Sequence, residues 1–449
     1  MSAKAEVQKL LKIVNKATQD ALVAYESTGE DVPSLSSTDE KSFFAMASNL
    51  DLKRAIRLLE GACEQLCATL APPGQTIVDL SHPAISSCVR LALRTGIADV
   101  LHDHPEGMHI KELASRIKID EGKLLRIVRT LTVRHCFQEV ALAVDVDTFA
   151  NNRISLALQT SNPLMCYIDL LTTEGYQSGA VLYEHLTDPR SNGSYHPAKT
   201  ALMYAIKGPE NETAGLFEWL HATPDRERVF NTAMTGVGTL SGSLAMLEGL
   251  PWDTVSTVCD IGSGVGAYSM PLVRRYANLK YTLCDMPATV NQAKEVWTKE
   301  FPEAVRSGRV AFTHYNFFEQ VAPAGQEIYY MRSIIHDWTD DRALVILKNI
   351  RAAMKPTSRL FVQDCLLQPS AHVKEVAALG VDTAPEPMLP NFGAGKKRTF
   401  NLDITMLLNV NSKERTLPEI TALGRQAGLK FVKVWDLVET SVVEFELDS

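Results

Sequence analysis

Hydrophobic positions along the chain change their spacing near residue 250. Before that point, apolar residues mostly recur at intervals of three and four, which predicts amphipathic helices. After Pro251, helical stretches separate most of seven short apolar runs, which are Thr257–Ile261, Lys280–Cys284, Val310–Thr313, Ile328–Ile334, Arg359–Gln363, Leu429–Trp435 and Ser441–Glu446. This alternation predicts an α/β fold with an open, mostly parallel, doubly wound sheet. The short connection between the last two runs predicts an antiparallel pair at one edge.

The N-terminal third predicts helices followed by a winged helix. Residues 1–70 have helical spacing around a polar loop at Ser27–Glu40, and the Pro72-Pro73-Gly74 break ends them. Three helices and two strand-like runs follow, at Ile85–Leu101, Ile110–Ile117, Glu121–Arg134, Phe137–Val144 and Arg153–Leu156. The third helix carries charges that can enter a DNA groove, but its apolar residues equally fit a dimerisation module. Residues 161–250 are predicted to be mainly helical.

Composition narrows the class of protein. A chain of 449 residues with 45% hydrophobic and 22% charged residues predicts a soluble protein of at least two domains. A net charge of −8 does not favour a nucleic acid or an anionic membrane as main partner. No apolar run is long enough for a membrane span, and the N-terminus reads as an amphipathic helix and not as a signal peptide, so we expect a cytoplasmic protein. The eight cysteines have no metal-binding spacing and predict buried thiols, with no metal site.

A glycine-rich turn provides the strongest local motif. The buried run Val258–Ile261 leads into Gly262-Ser263-Gly264-Val265-Gly266 and then a helix, so backbone N–H groups can approach a ligand closely. The glycines alone fit NAD or another adenosine cofactor. Asp285 ends the next strand, where a carboxylate can accept hydrogen bonds from ribose hydroxyls. Asp260, directly before the turn, can meet an ammonium group or cap the turn, and it favours S-adenosylmethionine over NAD.

A histidine at a strand end is the second candidate. His336 follows the apolar run Ile328–Ile334 and lies at the carboxyl edge of the predicted sheet, where ligands bind in doubly wound folds. A neutral imidazole there can act as a general base toward a hydroxyl group. Asp364 and Glu414 are the carboxylates that can hold its ring. A purely structural histidine is the alternative.

The order of these motifs resembles one enzyme family over nearly the whole chain. Asp260-Ile-Gly-Ser-Gly-Val-Gly, Cys284-Asp285-Met-Pro, Asn316-Phe-Phe-Glu, Arg332-Ser-Ile-Ile-His336-Asp-Trp and Asn409-Val-Asn-Ser-Lys-Glu414-Arg-Thr are similar to the class I S-adenosylmethionine-dependent O-methyltransferases of the caffeate and flavonoid type, in their fungal secondary-metabolism branch. The resemblance implies a Rossmann-like methyltransferase sheet behind an N-terminal winged-helix dimerisation domain. It also implies a homodimer whose domains are 1–158 for dimerisation, 159–250 for linker and acceptor-pocket helices, and 251–449 for catalysis.

The resemblance also implies roles for individual residues. His336 becomes the base, with Asp364 and Glu414 as its flanking acids. The residues implied for S-adenosylmethionine are Asp260, Gly262, Gly264, Asp285, Asn316, Phe317 and Arg332, and those for the acceptor are Met234, Asp337, Thr405 and Asn409. Three positions depart from the family pattern: Asp364 replaces a common glutamate and leaves a gap of about one methylene, Asn316 replaces a frequent aspartate, and Arg332 replaces a usual lysine. Met234 equally suits a helix core.

These observations predict methyl transfer to a hydroxyl group of a small aromatic or polyketide-type acceptor. Positioning and a dry pocket are expected to supply most of the acceleration, and the loop Glu375–Thr399 is expected to help to close the site. Two alternatives stay open: a pericyclase that binds S-adenosylmethionine on the same fold, and a winged-helix DNA-binding regulator, which would bind duplex DNA in a salt-dependent way. The sequence does not identify the acceptor.

Overall fold

The protein joins a helical N-terminal half to a seven-stranded C-terminal sheet. The computed structural model describes residues 2–39, 46, 48–140, 146–240, 245–372 and 381–448. The first helices are α1 (Ala3–Thr28), α2 (Leu50–Leu70) and α3 (Pro73–Leu80). The prolines after Leu70 end α2 as predicted, but Pro73 also begins α3, because proline suits the first turn of a helix. Across the described ranges, no helix is both long enough and apolar enough to cross a membrane.

A winged helix follows, with α4 (Ala84–Arg94), α5 (Ile97–Val100), α6 (Ile110–Ile117) and α7 (Glu121–Thr132) around a small sheet of β1 (Met108–His109), β2 (Gln138–Glu139) and β3 (Thr148–Ala150). The helix predicted at Ile85–Leu101 is in fact two helices, because Gly96 adopts a left-handed conformation with φ of 66°. Of the run Phe137–Val144, only β2 is a strand within the described residues, and positions 141–145 lie outside them.

The strand predicted at Arg153–Leu156 is wrong. Ser155–Leu158 is a 3₁₀ helix, and the strand that completes the wing, β3, ends at Ala150. Asn152 explains the difference, because its side-chain oxygen accepts hydrogen bonds from the backbone N–H groups of Ile154 (3.1 Å) and Ser155 (3.0 Å). This local side-chain bonding replaces strand pairing with a turn.

Within the described residues, the predicted mainly helical character of 161–250 is confirmed. The segments are α8 (Leu164–Leu170), a π-helical turn (Leu171–Gly175), α9 (Tyr176–Ala180), α10 (Leu182–Thr187), α11 (Ala201–Lys207), α12 (Leu216–His221), α13 (Pro224–Leu240) and α14 (Ala245–Gly249). Partly buried Arg226 on α13 bonds Glu174 and Asp169 at 2.6–2.8 Å, and Asp169 also pairs with Arg94 of α4. These ion pairs connect the winged helix to the helices that follow it.

The C-terminal sheet has the predicted doubly wound architecture. Its strands are β4 (Thr257–Ile261), β5 (Lys280–Asp285), β6 (Val310–His314), β7 (Ile328–Arg332), β8 (Arg359–Asp364), β11 (Leu429–Asp436) and β12 (Ser441–Leu447), in the order β11-β12-β8-β7-β4-β5-β6. Strand β12 is antiparallel to both of its neighbours, and the other pairs are parallel. All seven predicted strands are confirmed, including the antiparallel edge pair.

Helices cover both faces of this sheet. One buried core combines β7 and β8 with α18 (Asp340–Arg351) and α20 (Leu417–Gln426), and the other combines β4 and β5 with α15 (Ser269–Arg275), α16 (Pro287–Glu300) and α17 (Pro302–Arg306). Strand β7 ends at Arg332, two residues before the predicted end, because Ser333 turns the chain with φ of 51°.

The predicted loop Glu375–Thr399 is only partly described, since residues 373–380 lie outside the described ranges. Its described end contains a 3₁₀ turn at Gly393–Lys396, and helix α19 (Lys397–Val410) begins two residues before the predicted end of the loop. The segment packs on α2, where Gly61 lies so close to the Phe392 carbonyl that a Cβ at Gly61 would collide with it. Buried Arg57 of α2 also bonds Asp382 at 2.7 Å. The first helices therefore rest on the segment that leads into α19.

Candidate active site

The glycine-rich turn lies between β4 and α15 at the carboxyl edge of the sheet. Its glycines have positive φ, and a Cβ at Gly262 would overlap the Ile334 side chain. Trp297 limits the space at Gly266, where its Nε1 would lie 2.5 Å from an added Cβ. By contrast, a Cβ at Gly264 would have no neighbour within 4 Å. The loop is thus packed against the protein at two glycines and open at the middle one.

Asp285 ends β5 beside this turn. Its Oδ2 accepts a hydrogen bond from the Gly264 N–H at 2.8 Å, and its Oδ1 accepts one from the Met286 N–H at 2.7 Å. Burial raises the pKa of this carboxyl above its ordinary value. A carboxylate has about four lone-pair sites, so the two amides leave room for further donors such as hydroxyl groups.

Asp260 lies beneath the turn. Its Oδ2 accepts hydrogen bonds from Ser269 Oγ of α15 (2.5 Å) and from the Tyr281 hydroxyl of β5 (3.3 Å). Burial raises its pKa to about 7, so a permanent charge here is disfavoured. These bonds tie the end of β4 to β5 and to the first residue of α15, on either side of the turn. Nearby, the Arg332 guanidinium stacks 3.7 Å from the Tyr268 ring centre.

Asn316 and Phe317 form a turn directly after β6. The Asn316 Oδ1 accepts from the Phe318 N–H at 3.1 Å, which closes the turn. The Tyr315 N–H bonds the Asp285 carbonyl at 2.9 Å, so the turn is fixed to the end of β5. The Phe317 ring lies 6.1 Å from the Trp338 ring. The structure thus brings Asn316 and Phe317 to the same edge as the glycine turn.

These residues fit S-adenosylmethionine. The cradle at Gly264 is open where a side chain would otherwise block it, and Asp285 keeps acceptor capacity beside it. An open glycine turn next to a strand-end carboxylate is the arrangement that binds adenosine cofactors in doubly wound sheets.

A second cluster centres on His336, which lies in a short 3₁₀ turn (Ile335–Asp337) after β7. The ring is 7% exposed, and its Nδ1 lies 2.6 Å from Glu414 Oε1. Glu414 itself is 1% exposed. His336 Nε2 is 3.7 Å from Asp337 Oδ1, so the ring lies between two carboxylates.

A two-stranded sheet brings the acids to the histidine. The short strand β9 (Leu366–Leu367) follows β8 and pairs in parallel with β10 (Arg415–Thr416), with Arg415 opposite Leu366. Asp364 ends β8 just before β9, and Glu414 precedes β10. The pairing therefore brings both acids close enough to act on His336 by charge, although they are fifty residues apart in the sequence.

The acids control the charge state of His336. Burial by itself would lower the pKa of the ring, but the negative charges of Glu414 and Asp337 outweigh burial and raise that pKa to about 10. Burial raises the pKa of Asp337 to about 6 and moves the pKa of Asp364 upward as well. The negative charges around the ring therefore favour its protonated form, paired with Glu414, in the ligand-free protein.

Asp364 differs from Glu414 in its contacts. It is 5% exposed, and its Oδ1 is buried without a hydrogen-bond partner. Within the described residues, no hydrogen bond joins Asp364 to His336, which agrees with its side chain being one methylene shorter than the glutamate of the resembling family. Its influence on the histidine is through charge.

The residues expected to contact an acceptor lie on two helices. Met234 of α13 is 39% exposed and is therefore not a core residue of its helix, and its carbonyl accepts from the Tyr268 hydroxyl at 3.2 Å. Thr405 and Asn409 lie one turn apart on α19, which contacts the turn of His336. The Asn409 Oδ1 is buried without a partner. Asp403 of the same helix accepts from the Glu414 N–H at 2.9 Å.

Two features were missed by the sequence reasoning. One is an aromatic cluster in which the Trp338 ring lies 4.7 Å from Phe318 and 6.1 Å from Phe217. Phe217 comes from α12, and no local pattern indicated that it would reach Trp338. The other is Arg415, which directly follows Glu414 in the sequence and is 3% exposed.

Comparison with known proteins agrees with this geometry. The model of the O-methyltransferase domain matches residues 205–430. 3-O-methyltransferase 2 of Phanerochaete chrysosporium is 35% identical over 448 residues, which is 98% of this chain and 97% of that protein. O-methyltransferase tpcA of Aspergillus fumigatus is 31% identical over 426 residues, which is 87% of this chain and 86% of that protein.

Solved structures share the fold. Human N-acetylserotonin methyltransferase in complex with S-adenosylmethionine has a TM-score of 0.67 at 17% identity, and the match covers 84% of this chain and 99% of that one. LepI in complex with S-adenosylmethionine has a TM-score of 0.68 at 21% identity, over 88% of this chain and 94% of that one. At these identities the likeness concerns the fold alone.

Proposed function

Because this chain belongs to the O-methyltransferase family and is an S-adenosylmethionine-dependent O-methyltransferase, we propose that it methylates a hydroxyl group of a small phenolic or polyketide-type acceptor with His336 as general base. The observation that carries the proposal is the buried contact of 2.6 Å between His336 Nδ1 and Glu414 Oε1, at the sheet edge that also holds the glycine turn. When a carboxylate holds one nitrogen of a histidine ring, it fixes both the tautomer of the ring and the direction in which the other nitrogen points.

Glu414 Oε1 accepts a hydrogen bond from the Nδ1–H group of His336. Nε2 is therefore the nitrogen that acts as the base. The neutral ring then presents an unprotonated Nε2, which takes the proton of the acceptor hydroxyl as that oxygen becomes a nucleophile. S-adenosylmethionine supplies an electrophilic methyl group on a sulfonium. A positive charge bound at this edge lowers the pKa of His336 and favours the neutral ring that can accept a proton.

We assign the remaining site residues by position. For S-adenosylmethionine, Gly262 and Gly264 form the cradle, Asp260 orients it, and the other contacts come from Asp285, Asn316, Phe317 and Arg332. For the acceptor, the contacts come from Met234, Asp337, Thr405 and Asn409. The aromatic cluster at Trp338 supports a flat acceptor, since aromatic rings pack face to edge or in offset stacks.

The base separates methyl transfer from the alternatives. Methylation of a hydroxyl group requires removal of a proton, and the His336–Glu414 pair supplies a base for that step. A pericyclic reaction needs no base. For the DNA-binding alternative, Arg129 on α7 is already paired with Asp147 and Glu139 of the wing, which reduces the charge available to a phosphate backbone.

Incubation with S-adenosylmethionine labelled in the methyl group tests the proposal. With a panel of phenols and polyketide acids, we expect label in an organic-soluble product and one equivalent of S-adenosylhomocysteine. Matched acceptors in which the hydroxyl is replaced by a methoxy group serve as controls and should remain unlabelled. Consumption of an acceptor by cyclisation, with no label transferred, would favour the pericyclase instead.

We also propose a homodimer formed mainly by residues 1–158. Helix α3 supports it, because Ile77, Val78 and Leu80 are 60%, 62% and 75% exposed, which is a high exposure for three apolar residues on one short helix. Light scattering at micromolar concentration should give about twice the chain mass of 49.5 kDa. The double variant Ile77→Asp with Val78→Asp should lower that mass toward the monomer, whereas Val321→Asp, at an exposed site of the C-terminal half, should not. A wild-type mass near 49.5 kDa would rule out the dimer.

We keep the cytoplasm as the proposed location. All eight cysteines are free thiols in the structure. Cys259 and Cys284 lie on neighbouring strands with their sulfur atoms 3.5 Å apart and unbonded. Disulfides are rare in cytosolic proteins, so unbonded cysteines fit this location.

A further inference from the structure

Arg415 lies immediately beside the catalytic pair and has three strong contacts. It is 3% exposed. Its Nη1 donates to the Ile335 carbonyl at 2.6 Å, its Nη2 donates to the Trp338 carbonyl at 2.7 Å, and its Nε donates to Asp340 Oδ1 at 2.9 Å. The two carbonyls belong to the residues on either side of His336 and Asp337. A single guanidinium therefore bridges the turn that carries the base.

The turn needs such support. It begins after Ser333, which has a positive φ of 51°, and its own backbone bonds are few and long: Asp337 N–H to Ile334 carbonyl and Trp338 N–H to Ile335 carbonyl, both at 3.2 Å. A single 3₁₀ turn has weak hydrogen-bond geometry and is marginal without outside contacts. Only the planar fork of arginine has several donors in fixed directions, so lysine cannot reproduce the bridge.

On these contacts, we propose that Arg415 is a positioning residue for methyl transfer, which fixes the backbone of the His336 turn while Glu414 fixes the ring. The inference rests on the proposed role of His336. Because Glu414 and Arg415 are consecutive, the first residue of β10 and the residue before it set both the position of the His336 backbone and the direction of its ring. If β10 moved, the ring and the backbone of His336 would therefore move together.

Arg415→Lys tests this, because it keeps the positive charge and removes the fork. We expect kcat to fall about 10- to 100-fold, since a displacement of about 1 Å costs this much in oriented reactions. The dissociation constant of S-adenosylmethionine, measured by calorimetry, should stay within about twofold. Arg359→Lys is the matched control, because Arg359 lies at the far end of β8, pairs with Glu444 and Glu446, and should leave kcat unchanged.

The pH profile distinguishes positioning from general stabilisation. Three acids face His336: Glu414 before β10, Asp337 in the turn itself and Asp364 at the end of β8. If the turn loosens, His336 moves away from Glu414, its pKa falls, and the acid limb of kcat/KM moves to lower pH. An NMR titration of the His336 ring in the Arg415→Lys variant should report the same downward shift without any turnover. A variant that only melts earlier, with an unchanged titration, would overturn the proposal.

Chemical rescue gives an independent result. Arg415→Ala should lose more activity than Arg415→Lys, and millimolar guanidinium, well below denaturing concentration, should restore part of it. Rescue absent in a variant that is folded by circular dichroism would contradict a role for the fork. If instead His336→Ala retains full wild-type activity, the proposed base is wrong, and that failure is separate from any result at Arg415.

Discussion

Replacing His336 by alanine is expected to lower the turnover number of methyl transfer by about 10²- to 10⁴-fold, the usual contribution of a general base. Positioning of the acceptor and of S-adenosylmethionine would remain, so residual activity should be measurable. The dissociation constant of S-adenosylmethionine should change by no more than a few-fold, because the described residues of the glycine turn and Asp285 make no hydrogen bond or ion pair with the ring. Single-turnover kinetics with labelled S-adenosylmethionine, together with calorimetry, measures both quantities.

His336→Gln controls for the fold. The alanine change leaves Glu414 buried without its partner, which is itself destabilising, whereas a glutamine amide can still donate to Glu414 Oε1 and is not a base. Both variants should therefore lose turnover to a similar extent, with the glutamine variant closer to wild type in melting temperature. His221→Ala, at a side chain that is 85% exposed on α12, should have no effect on turnover. Wild-type turnover in a folded His336→Gln variant would show that the ring only shapes the pocket.

The pH dependence follows from the charge of the ring. Protonated imidazole cannot accept a proton, so kcat/KM should rise with pH up to the pKa of His336, which Glu414 and Asp337 raise to about 10 in the ligand-free protein. The acid limb should thus extend well above neutrality instead of ending near the ordinary histidine value of about 6.5. With S-adenosylmethionine saturating, the limb should move to lower pH, because added positive charge disfavours the imidazolium.

Much of the fold was predictable because its strongest signals are local. Strands such as β4 and β8 are buried on both faces, so they appear in the sequence as continuous apolar runs. Glycines with positive φ mark the turn after β4, and a proline begins α16. The wing was harder, because β1 to β3 are only two or three residues long and Asn152 redirects the chain by a side-chain bond.

The contacts of the proposed base were not predictable from position alone. Glu414 lies 78 residues after His336, and their contact depends on the pairing of β9 with β10, two strands of two residues each. The sequence indicated that Asp364 and Glu414 were both available, but not that Glu414 alone would bond the ring. The roles of Arg415 and Phe217 likewise depend on tertiary packing, to which no periodicity points.

Replacing Asp285 by alanine is expected to weaken S-adenosylmethionine binding by about 1.5–3 kcal/mol, or roughly 10- to 150-fold, through the loss of charge-assisted hydrogen bonds. The structure adds a second reason: Asp285 Oδ2 also accepts the Gly264 N–H, so the alanine variant loses a bond that holds the glycine turn. The two contributions can be separated with Asp285→Asn, whose amide oxygen can still accept from Gly264 but has no charge.

Calorimetric titration of the wild type, Asp285→Ala and Asp285→Asn with S-adenosylmethionine therefore has an ordered expected result. If support of the turn is the larger effect, affinity should fall less in Asp285→Asn than in Asp285→Ala. If the charge that faces the ligand is the larger effect, affinity should fall nearly equally in the two variants. Asp253→Ala, an exposed acid in the 3₁₀ turn (Trp252–Thr254) before β4, is the control and should bind like the wild type. An unchanged dissociation constant in Asp285→Ala would place the ribose elsewhere. Since His336 lies in the turn after β7 and Asp285 ends β5, such a result would leave the proposed base intact and require a different binding position for the adenosine.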